Sequence, residues 1–354
     1  MKSFKQTAIL AAVLAATTLV GVSSQANACS RLIADTGEHG ISVARSYDWG
    51  ERLSSVAKVS PVGTKRSTRE VPEYSNPAKW VTKHQTLYFE EVETFHGTTG
   101  EAMNVEGFAA SMLYQDPSVK FIDDAADTGA PALHLSDIVP FLVENYKTVD
   151  EAVQGFKAGE WQIAWKTGIA GHRHGFHVSV QDKSGNIALF QLNKGGEIKI
   201  HQGDTESDLR VMANAPLQQD HRAYVKQFDM TDAEKLPGSI SSRDRNVRGL
   251  YNTANTNWKN DAQWPAIRGK MKSMFDAGNL VGQDIIDPTN GVTYATWETY
   301  VYNFDNGEVT YFNYDTATQV SVNMNDIKQF TKPVCADLVS QALEQDRMVF
   351  SQCK

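Results

Sequence analysis

Three residues near the start of the chain have the types and spacing needed for nucleophilic chemistry. Cys29 is followed 16 and 19 positions later by Arg45 and Asp48. A thiol attacks as the thiolate, and a nearby cation lowers the pKa of the thiol. If Cys29 is the first residue of a processed chain, its own α-amino group is the nearest base, with an ordinary pKa of about 7.7–8.0. An anion such as Asp48 would then orient that amine.

Residues 1–28 have the layout of a secretory signal segment. Two lysines give a basic start, an uncharged apolar stretch follows, and Ala26, Asn27 and Ala28 form a small-residue cleavage site. A membrane-spanning helix needs about 20 predominantly apolar residues, and the apolar run here is shorter. We therefore expect signal peptidase to cleave between Ala28 and Cys29, which leaves a periplasmic or secreted protein.

A lipoprotein signal would also place a cysteine at the new N-terminus. Such a signal favours a leucine-like residue three positions before the cysteine, where this chain has Ala26, and small residues directly before it, where Asn27 fits poorly. The alternative function from another class is therefore a lipid-anchored binding protein without catalysis. In that protein Cys29 would serve only as the attachment point.

Composition narrows the class of protein. The chain has 354 residues, 34 Lys and Arg against 42 Asp and Glu, and a formal net charge of −8, which becomes −10 when cleavage removes the two lysines of the leader. These values are typical of an ordinary globular chain and argue against a nucleic-acid partner, whose phosphates need clustered basic residues. The two remaining cysteines, Cys335 and Cys353, form a disulfide or stay as two buried thiols.

The hydrophobic pattern predicts paired strands with helices between them. Residues 31–34 and 41–46 predict a hairpin that begins at Cys29, and residues 102–113 predict a second hairpin. Helical periodicity covers residues 136–156. No fixed-period repeat and no linker divides the chain. We therefore expect an α+β fold, with residues 29–354 forming a single domain after the signal segment 1–28.

Five motifs, in matching order and spacing, resemble the choloylglycine hydrolase and penicillin V acylase family. They are Cys29 with Arg45-Ser46-Tyr47-Asp48-Trp49; Ala102-Met103-Asn104-Val105-Glu106-Gly107-Phe108-Ala109; Tyr114, where penicillin acylases tend to have Tyr and bile-salt hydrolases Asn; Val211-Met212-Ala213-Asn214-Ala215-Pro216; and Leu236-Pro237-Gly238-Ser239 with Ser242-Arg243-Asp244-Arg245. The Arg-x-x-Asp-Trp form is similar to the Gram-negative branch of the family.

The resemblance implies an N-terminal nucleophile hydrolase that cleaves linear amides. Its expected fold is a four-layer αββα sandwich, two antiparallel sheets between helical layers, with no cofactor or metal and possible assembly as a homotetramer. The implied roles are Cys29 as nucleophile and α-amino base, Arg45 to keep the thiol ionised, Asp48 to orient the amine, Asn214 and the backbone N–H of Tyr114 to hold the oxyanion, Arg245 to support this network, and Trp49 with Tyr114 to bind substrate.

Several of these roles have structural alternatives. Asn214 precedes Ala-Pro and is a possible turn former, and Trp49 is a possible core residue. Arg243 and Arg248 are close enough to Arg245 to confuse the register. The small-molecule substrate is expected to be an aromatic or fatty acyl amide, such as penicillin V or an N-acyl homoserine lactone, and the runner-up is a conjugated bile salt.

The histidines favour neither a metal site nor a protease dyad. On a strand, His172 and His174 would share a face while His177 would point the other way, and no cysteine or acidic pair accompanies them. His221 is a candidate partner for a Cys/His dyad. An N-terminal amine makes a separate base unnecessary.

Overall fold

The computed structural model describes residues 29–258, 263–287 and 291–353. The predicted signal segment 1–28 lies outside the described residues. The strands are, in chain order, β1 Ser30–Asp35, β2 Ile41–Trp49, β3 Ser55–Ser60, β4 Lys65–Ser67, β5 Lys79–Val81, β6 Thr86–Glu91, β7 Thr98–Asn104, β8 Phe108–Tyr114, β9 Ala132–Leu133, β10 Gln162–Ile163, β11 Phe176–Asp182, β12 Asn186–Leu192, β13 Ile198–Asp204, β14 Val211–Ala213, β15 Ala295–Asn303, β16 Glu308–Asn313, β17 Thr318–Asn323, β18 Val334–Asp337 and β19 Ser351–Gln352.

The α-helices lie between these strands in the chain. They are α1 Ile138–Asn145, α2 Val149–Lys157, α3 Gln218–Val225, α4 Ser242–Asn255, α5 Trp264–Asn279, α6 Met324–Ile327 and α7 Leu338–Glu344. Within the described residues, no helix has the length and apolar character that crossing a membrane would require.

Two antiparallel sheets form the middle of the molecule. One has six strands in the order β14-β1-β2-β15-β16-β17, and the other has nine in the order β13-β12-β11-β8-β7-β6-β3-β18-β19. Helices α4 and α5 pack on the six-stranded sheet, and α1 and α2 pack on the nine-stranded sheet. This arrangement is the predicted α+β, four-layer αββα sandwich.

Strands β1 and β2 show why the first hairpin forms where the sequence predicts it. Ile33 and Val43 lie in the core between the two sheets, whereas Leu32 and Ala44 lie in the core under α4 and α5. Both faces of each strand are buried, so apolar residues occur on both faces of the hairpin. Odd-numbered residues of this hairpin therefore face the second sheet and even-numbered residues face the helices.

Helix α4 is an element that the sequence pattern did not predict. Its residues are mostly polar, and the buried face of the helix includes Asp244, Arg245 and Asn246 beside the apolar Val247 and Leu250. Hydrophobic periodicity cannot reveal a helix whose inner face is charged.

The C-terminal cysteines are joined. Cys335 on β18 and Cys353 just after β19 form a disulfide, with their Cα atoms 4.9 Å apart. Of the two alternatives that the sequence left open, the structure has the disulfide, and Cys29 is a free thiol.

Candidate active site

The first hairpin places Cys29 directly beside β2. Ser30 pairs with Ser46 in the antiparallel register, so one further step sets Cys29 opposite Tyr47. Side chains directly opposite each other in such a pair share a face of the sheet. The Cys29 thiol therefore lies at the end of β1 on the face that looks towards the second sheet, 3.8 Å from the carbonyl oxygen of Asp48.

The other neighbour of β1 brings Asn214 to the same row. Ser30 pairs with Ala213 on β14, so the next residue of the chain lies opposite Cys29. Asn214 is buried, and neither its side-chain oxygen nor its side-chain nitrogen has a hydrogen-bond partner in the described part of the chain. Buried amides without partners are rare in folded proteins, which makes this one a candidate for binding a ligand.

Arg45 reaches from β2 across the space between the sheets. Its Nη2 donates to the carbonyl oxygen of Met112 at 3.0 Å, and its Nε lies 3.6 Å from a carboxylate oxygen of Glu101. Sequence reasoning missed Glu101, which accepts a hydrogen bond from the Tyr302 hydroxyl at 2.5 Å. Burial raises the pKa of Glu101 to about 7, and the nearby Arg45 opposes that rise.

Asp48 lies on the opposite face of β2 from Arg45, so the two residues approach the start of β1 from different sides of the sheet. The Asp48 carboxylate faces α4, where Arg245 Nη1 lies 3.4 Å from it. The same guanidinium donates to the Ser30 hydroxyl. Burial raises the pKa of Asp48 to about 6, and Arg245 opposes that rise. The acidic group therefore lies on the helix side of the sheet, where Arg245 links it to the Ser30 hydroxyl at the start of β1.

The structure resolves which arginine of α4 reaches the site. Arg245 is fully buried against Asp48, whereas Arg243 is exposed. Arg248 donates to the backbone carbonyl of Pro237 at 2.6 Å. The register that assigned Arg245 to the site agrees with this geometry.

Burial and nearby charges shift the pKa of the Cys29 thiol in different directions. Burial raises the pKa of Cys29 above its ordinary value, while Arg45 lowers it and Asp48 raises it. Arg45 thus acts in the predicted direction, but burial outweighs it. Arg45 alone therefore does not hold the pKa of this thiol below its ordinary value.

A cavity of about 450 Å³ opens in front of Cys29 and Arg45. Both predicted substrate-binding residues, Trp49 and Tyr114, line it. Its wall also contains aromatic and aliphatic side chains that the sequence did not single out, namely Phe95, Ile169 and Phe176. Trp49 and Phe95 make an edge-to-face contact with their ring centres 4.6 Å apart. Asp48, Asn214 and Arg245 do not line this cavity and are buried behind it.

Backbone pairing orients the N–H of Tyr114. Gln115 donates to the carbonyl oxygen of Gly175 at 2.7 Å, so by the antiparallel alternation Tyr114 directs its N–H and C=O away from β11. Met112 has the same orientation, and its carbonyl accepts from Arg45. The N–H of Tyr114 therefore points to the side of β8 on which Arg45 lies.

Three of the described histidines belong to the cavity wall, and one of them, His96, was not singled out from the sequence. His172 and His174 line it, and His174 contacts Tyr114 with ring centres 5.7 Å apart. His177 is buried on β11 with a ring nitrogen 2.9 Å from Gln115 Nε2. In the described ranges, no group of three His, Cys, Asp or Glu side chains is placed to hold a metal ion. His221 is buried on α3, where burial lowers its pKa to about 4.

Sequence comparison identifies the class of protein that this fold and cavity belong to. Residues 29–337 match the linear amide C–N hydrolases of the choloylglycine hydrolase family. The match covers most of the chain, so the protein belongs to this family of hydrolases, as its motifs predicted. A search of curated protein sequences gave no significant match.

Solved structures with the same fold include two named enzymes. Penicillin V acylase from Agrobacterium tumefaciens is 21% identical with a TM-score of 0.76, covering 92% of this chain and 98% of its own. A mutant of conjugated bile acid hydrolase from Clostridium perfringens is 15% identical with a TM-score of 0.66, covering 92% of this chain and 97% of its own. At these identities the likeness establishes the fold.

Proposed function

We propose that removal of residues 1–28 makes this chain an N-terminal cysteine amidase. The observation that carries the proposal is the placement of the Cys29 thiol. It stands directly before β1, opposite the Asn214 amide, which has no hydrogen-bond partner among the described residues, and it lines a cavity whose wall includes several aromatic rings. A free α-amine at this position would lie on the same residue as the thiol and next to the buried Asp48–Arg245 pair.

The proposed reaction uses the groups of the site and one water molecule. The α-amine takes the thiol proton, and the resulting thiolate attacks the amide carbon to form a tetrahedral oxyanion. Asn214 Nδ2 and the N–H of Tyr114 donate to that oxyanion, a contribution of a few kcal/mol per donor, about 3 in a measured case. The C–N bond then breaks, and the ammonium group gives its proton to the leaving amine. Water, activated by the same amine, hydrolyses the thioester.

The charged residues position this machinery. Asp48 holds and orients the α-ammonium group that forms during attack, and Arg245 fixes Asp48 from α4. Arg45 favours the thiolate once it forms, because it offsets part of the burial cost that keeps the thiol protonated. Arg45 is held in turn by Glu101 and by the backbone of β8.

The cavity wall favours an aromatic or fatty acyl group. Trp49, Phe95, Tyr114 and Phe176 offer rings rather than charges to the acyl part of a substrate. We therefore propose penicillin V or an N-acyl homoserine lactone as the substrate class, ahead of conjugated bile salts. Turnover of penicillin V, a long-chain acyl homoserine lactone and glycodeoxycholate, measured side by side, tests this order, and a clear preference for glycodeoxycholate would reverse it.

The decisive test of the mechanism separates the thiol from the amine. Three forms are compared: the chain beginning at Cys29, the same chain with one alanine added before Cys29, and the Cys29→Ala variant. We expect turnover only from the first, because the added alanine keeps the thiol but moves the amine away. Equal turnover by the alanine-extended form would show that the α-amine is not the base.

Export and processing are proposed together with the mechanism. We propose that the mature protein is periplasmic or secreted and starts at Cys29 with a free amine. Cell fractionation and mass spectrometry of the purified protein test this. A membrane-bound form with an acylated Cys29 would instead support the lipid-anchored binding protein.

A further inference from the structure

The side chain of Tyr47 lines the cavity beside Cys29. On β2 it shares a face with Arg45 and Trp49, and it lies opposite Cys29 in the hairpin register. Its side chain is 5% exposed, yet it lines the cavity. The tyrosine side chain is several atoms longer than that of cysteine. Its hydroxyl lies against the backbone of Gly100, another residue that lines the cavity.

The hydroxyl of Tyr47 lacks the partner that neighbouring tyrosines have. Tyr300 donates to Glu298 at 3.1 Å and Tyr302 donates to Glu101 at 2.5 Å. Within the described residues, the Tyr47 hydroxyl is buried with no hydrogen-bond partner. A buried hydroxyl without a partner costs free energy, which an acceptor on a bound ligand would recover.

The ring of Tyr47 is held in place on several sides. The Arg45 guanidinium carbon lies 4.2 Å from the ring centre, and the Tyr300 ring meets it edge-on at 5.5 Å. The hydroxyl reaches the backbone of Gly100, where a Cβ atom would come within 2.4 Å of the oxygen. Glycine at this position therefore leaves the space that the hydroxyl occupies.

The phenol is a hydrogen-bond donor at neutral pH. Burial raises the pKa of Tyr47 well above its ordinary value, and Arg45 opposes only part of that rise. A protonated phenol in a fixed position selects for an acceptor in the ligand.

We propose that the Tyr47 hydroxyl donates a hydrogen bond to an acceptor oxygen on the acyl group of the substrate, close to the scissile carbonyl. The chemistry that fits is an ether oxygen, as in a phenoxyacetyl group, or a keto oxygen, as in a 3-oxoacyl group. The inference rests on the proposed amidase function and makes Tyr47 a specificity-determining residue. The enzyme then prefers oxygen-bearing acyl groups over hydrocarbon ones of the same shape.

The test compares two substrates that differ by one atom. They are penicillin V and its analogue with a methylene group in place of the ether oxygen. Wild-type kcat/KM should favour the ether by about tenfold, the range of one hydrogen bond that leaves a buried group unpaired when it is lost. Tyr47→Phe should remove this preference. Because the variant also removes an unpartnered buried hydroxyl, its Tm should equal or exceed that of the wild type.

A matched control removes a neighbouring phenol that does not line the cavity. Tyr300→Phe takes away the hydroxyl bonded to Glu298, and we expect it to lower Tm while keeping the ether preference. If Tyr47→Phe lowers kcat/KM equally for both substrates, or keeps the tenfold preference, the assignment of Tyr47 is overturned.

A binding measurement separates this inference from the proposed function. Calorimetry on Cys29→Ala, with and without Tyr47→Phe, measures the affinity for both amides without turnover. An ether preference that requires Tyr47, in a protein whose wild type hydrolyses neither amide, would refute the amidase proposal and keep the tyrosine assignment. Equal affinity for the two amides in Cys29→Ala would overturn the tyrosine assignment itself.

Discussion

Two buried polar clusters on the six-stranded sheet, one around Asp48 and one around Glu298, differ in how fully their polar atoms are hydrogen-bonded. Asp48 and Glu298 are both fully buried carboxyl groups, and burial raises the pKa of the first to about 6 and of the second to about 7. Glu298 accepts hydrogen bonds from Ser55 and Tyr300, and neither of its side-chain oxygens is a buried atom without a partner. Around the thiol, by contrast, one oxygen of Asp48 and both polar atoms of Asn214 are without hydrogen-bond partners in the described ranges.

The Glu298 cluster is therefore structural, whereas the cluster around the thiol has donors and acceptors that a ligand could pair with. Polar groups that satisfy one another fix a core, while unsatisfied ones remain available for a ligand. Glu298 lies directly opposite Tyr47 in the pairing of β2 with β15, so the two kinds of cluster are neighbours. Substitutions in the cluster around the thiol should therefore lower activity and leave stability nearly unchanged. Matched substitutions in the Glu298 cluster should change stability and leave activity nearly unchanged.

The largest effect is expected at Asn214. Asn214→Ala removes a proposed oxyanion donor, so kcat should fall by about 100- to 1000-fold while Tm changes little. Steady-state kinetics and thermal unfolding measure the two quantities.

Asn313 supplies the matched control. It is a buried asparagine of the satisfied cluster, and it donates to the Tyr311 hydroxyl at 3.1 Å. Asn313→Ala should lower stability by about 1–3 kcal/mol and leave kcat within about twofold. The reverse pattern, with activity lost at Asn313 and kept at Asn214, would remove the distinction between the clusters.

A smaller effect is expected from titration of Asp48. The ionised carboxylate holds the α-ammonium group, so kcat/KM should fall about tenfold per pH unit below a pKa near 6. Because the pKa of this acid is raised on folding, its contribution to stability is present at low pH and is lost as pH rises through 6. Activity should thus fall on acidification without unfolding caused by this group.

Asp48→Asn is the test of that assignment. It should lower kcat/KM by about 100-fold at pH 7.5, and the residual activity should lack the acidic limb near pH 6. Persistence of that limb in the variant would assign it to another group.

The smallest effect on activity is expected at Glu298. Glu298→Gln keeps an acceptor for Ser55 and Tyr300 but cannot ionise. Since burial raises the pKa of Glu298 to about 7, the wild type loses stability from this group as pH rises through that value. The variant should match the wild type at pH 5, exceed its stability at pH 8 by about 1–3 kcal/mol, and keep kcat within about twofold. A large loss of kcat would place Glu298 in the reaction.

Local pattern and motif resemblance predicted the residues that β1 and its two neighbouring strands bring together. The apolar runs of β1 and β2 placed Arg45 and Asp48 near Cys29, and the motif after residue 211 placed Asn214. Alternation along β2 also implies that Arg45 and Asp48 face opposite sides of the sheet. The structure shows what lies on the Asp48 side, namely Arg245 of α4.

The rest of the site depends on contacts between distant parts of the chain. Glu101 meets Arg45 only because the second sheet stacks on the first, and no local pattern marks that pairing. Tyr47 was part of a recognised motif, but its unpartnered hydroxyl is visible only in the packed structure. The motif resemblance named Arg245, but the helix that carries it was not predicted, because the inner face of that helix is polar.

Trapping the acyl-enzyme tests the central claim most directly. The mature protein is mixed with penicillin V, quenched in acid within the first turnovers, digested and examined by mass spectrometry. We expect an N-terminal peptide that begins at Cys29 and carries one phenoxyacetyl group on that residue. An unmodified Cys29 during active turnover, or an active chain in which residues still precede Cys29, would contradict it.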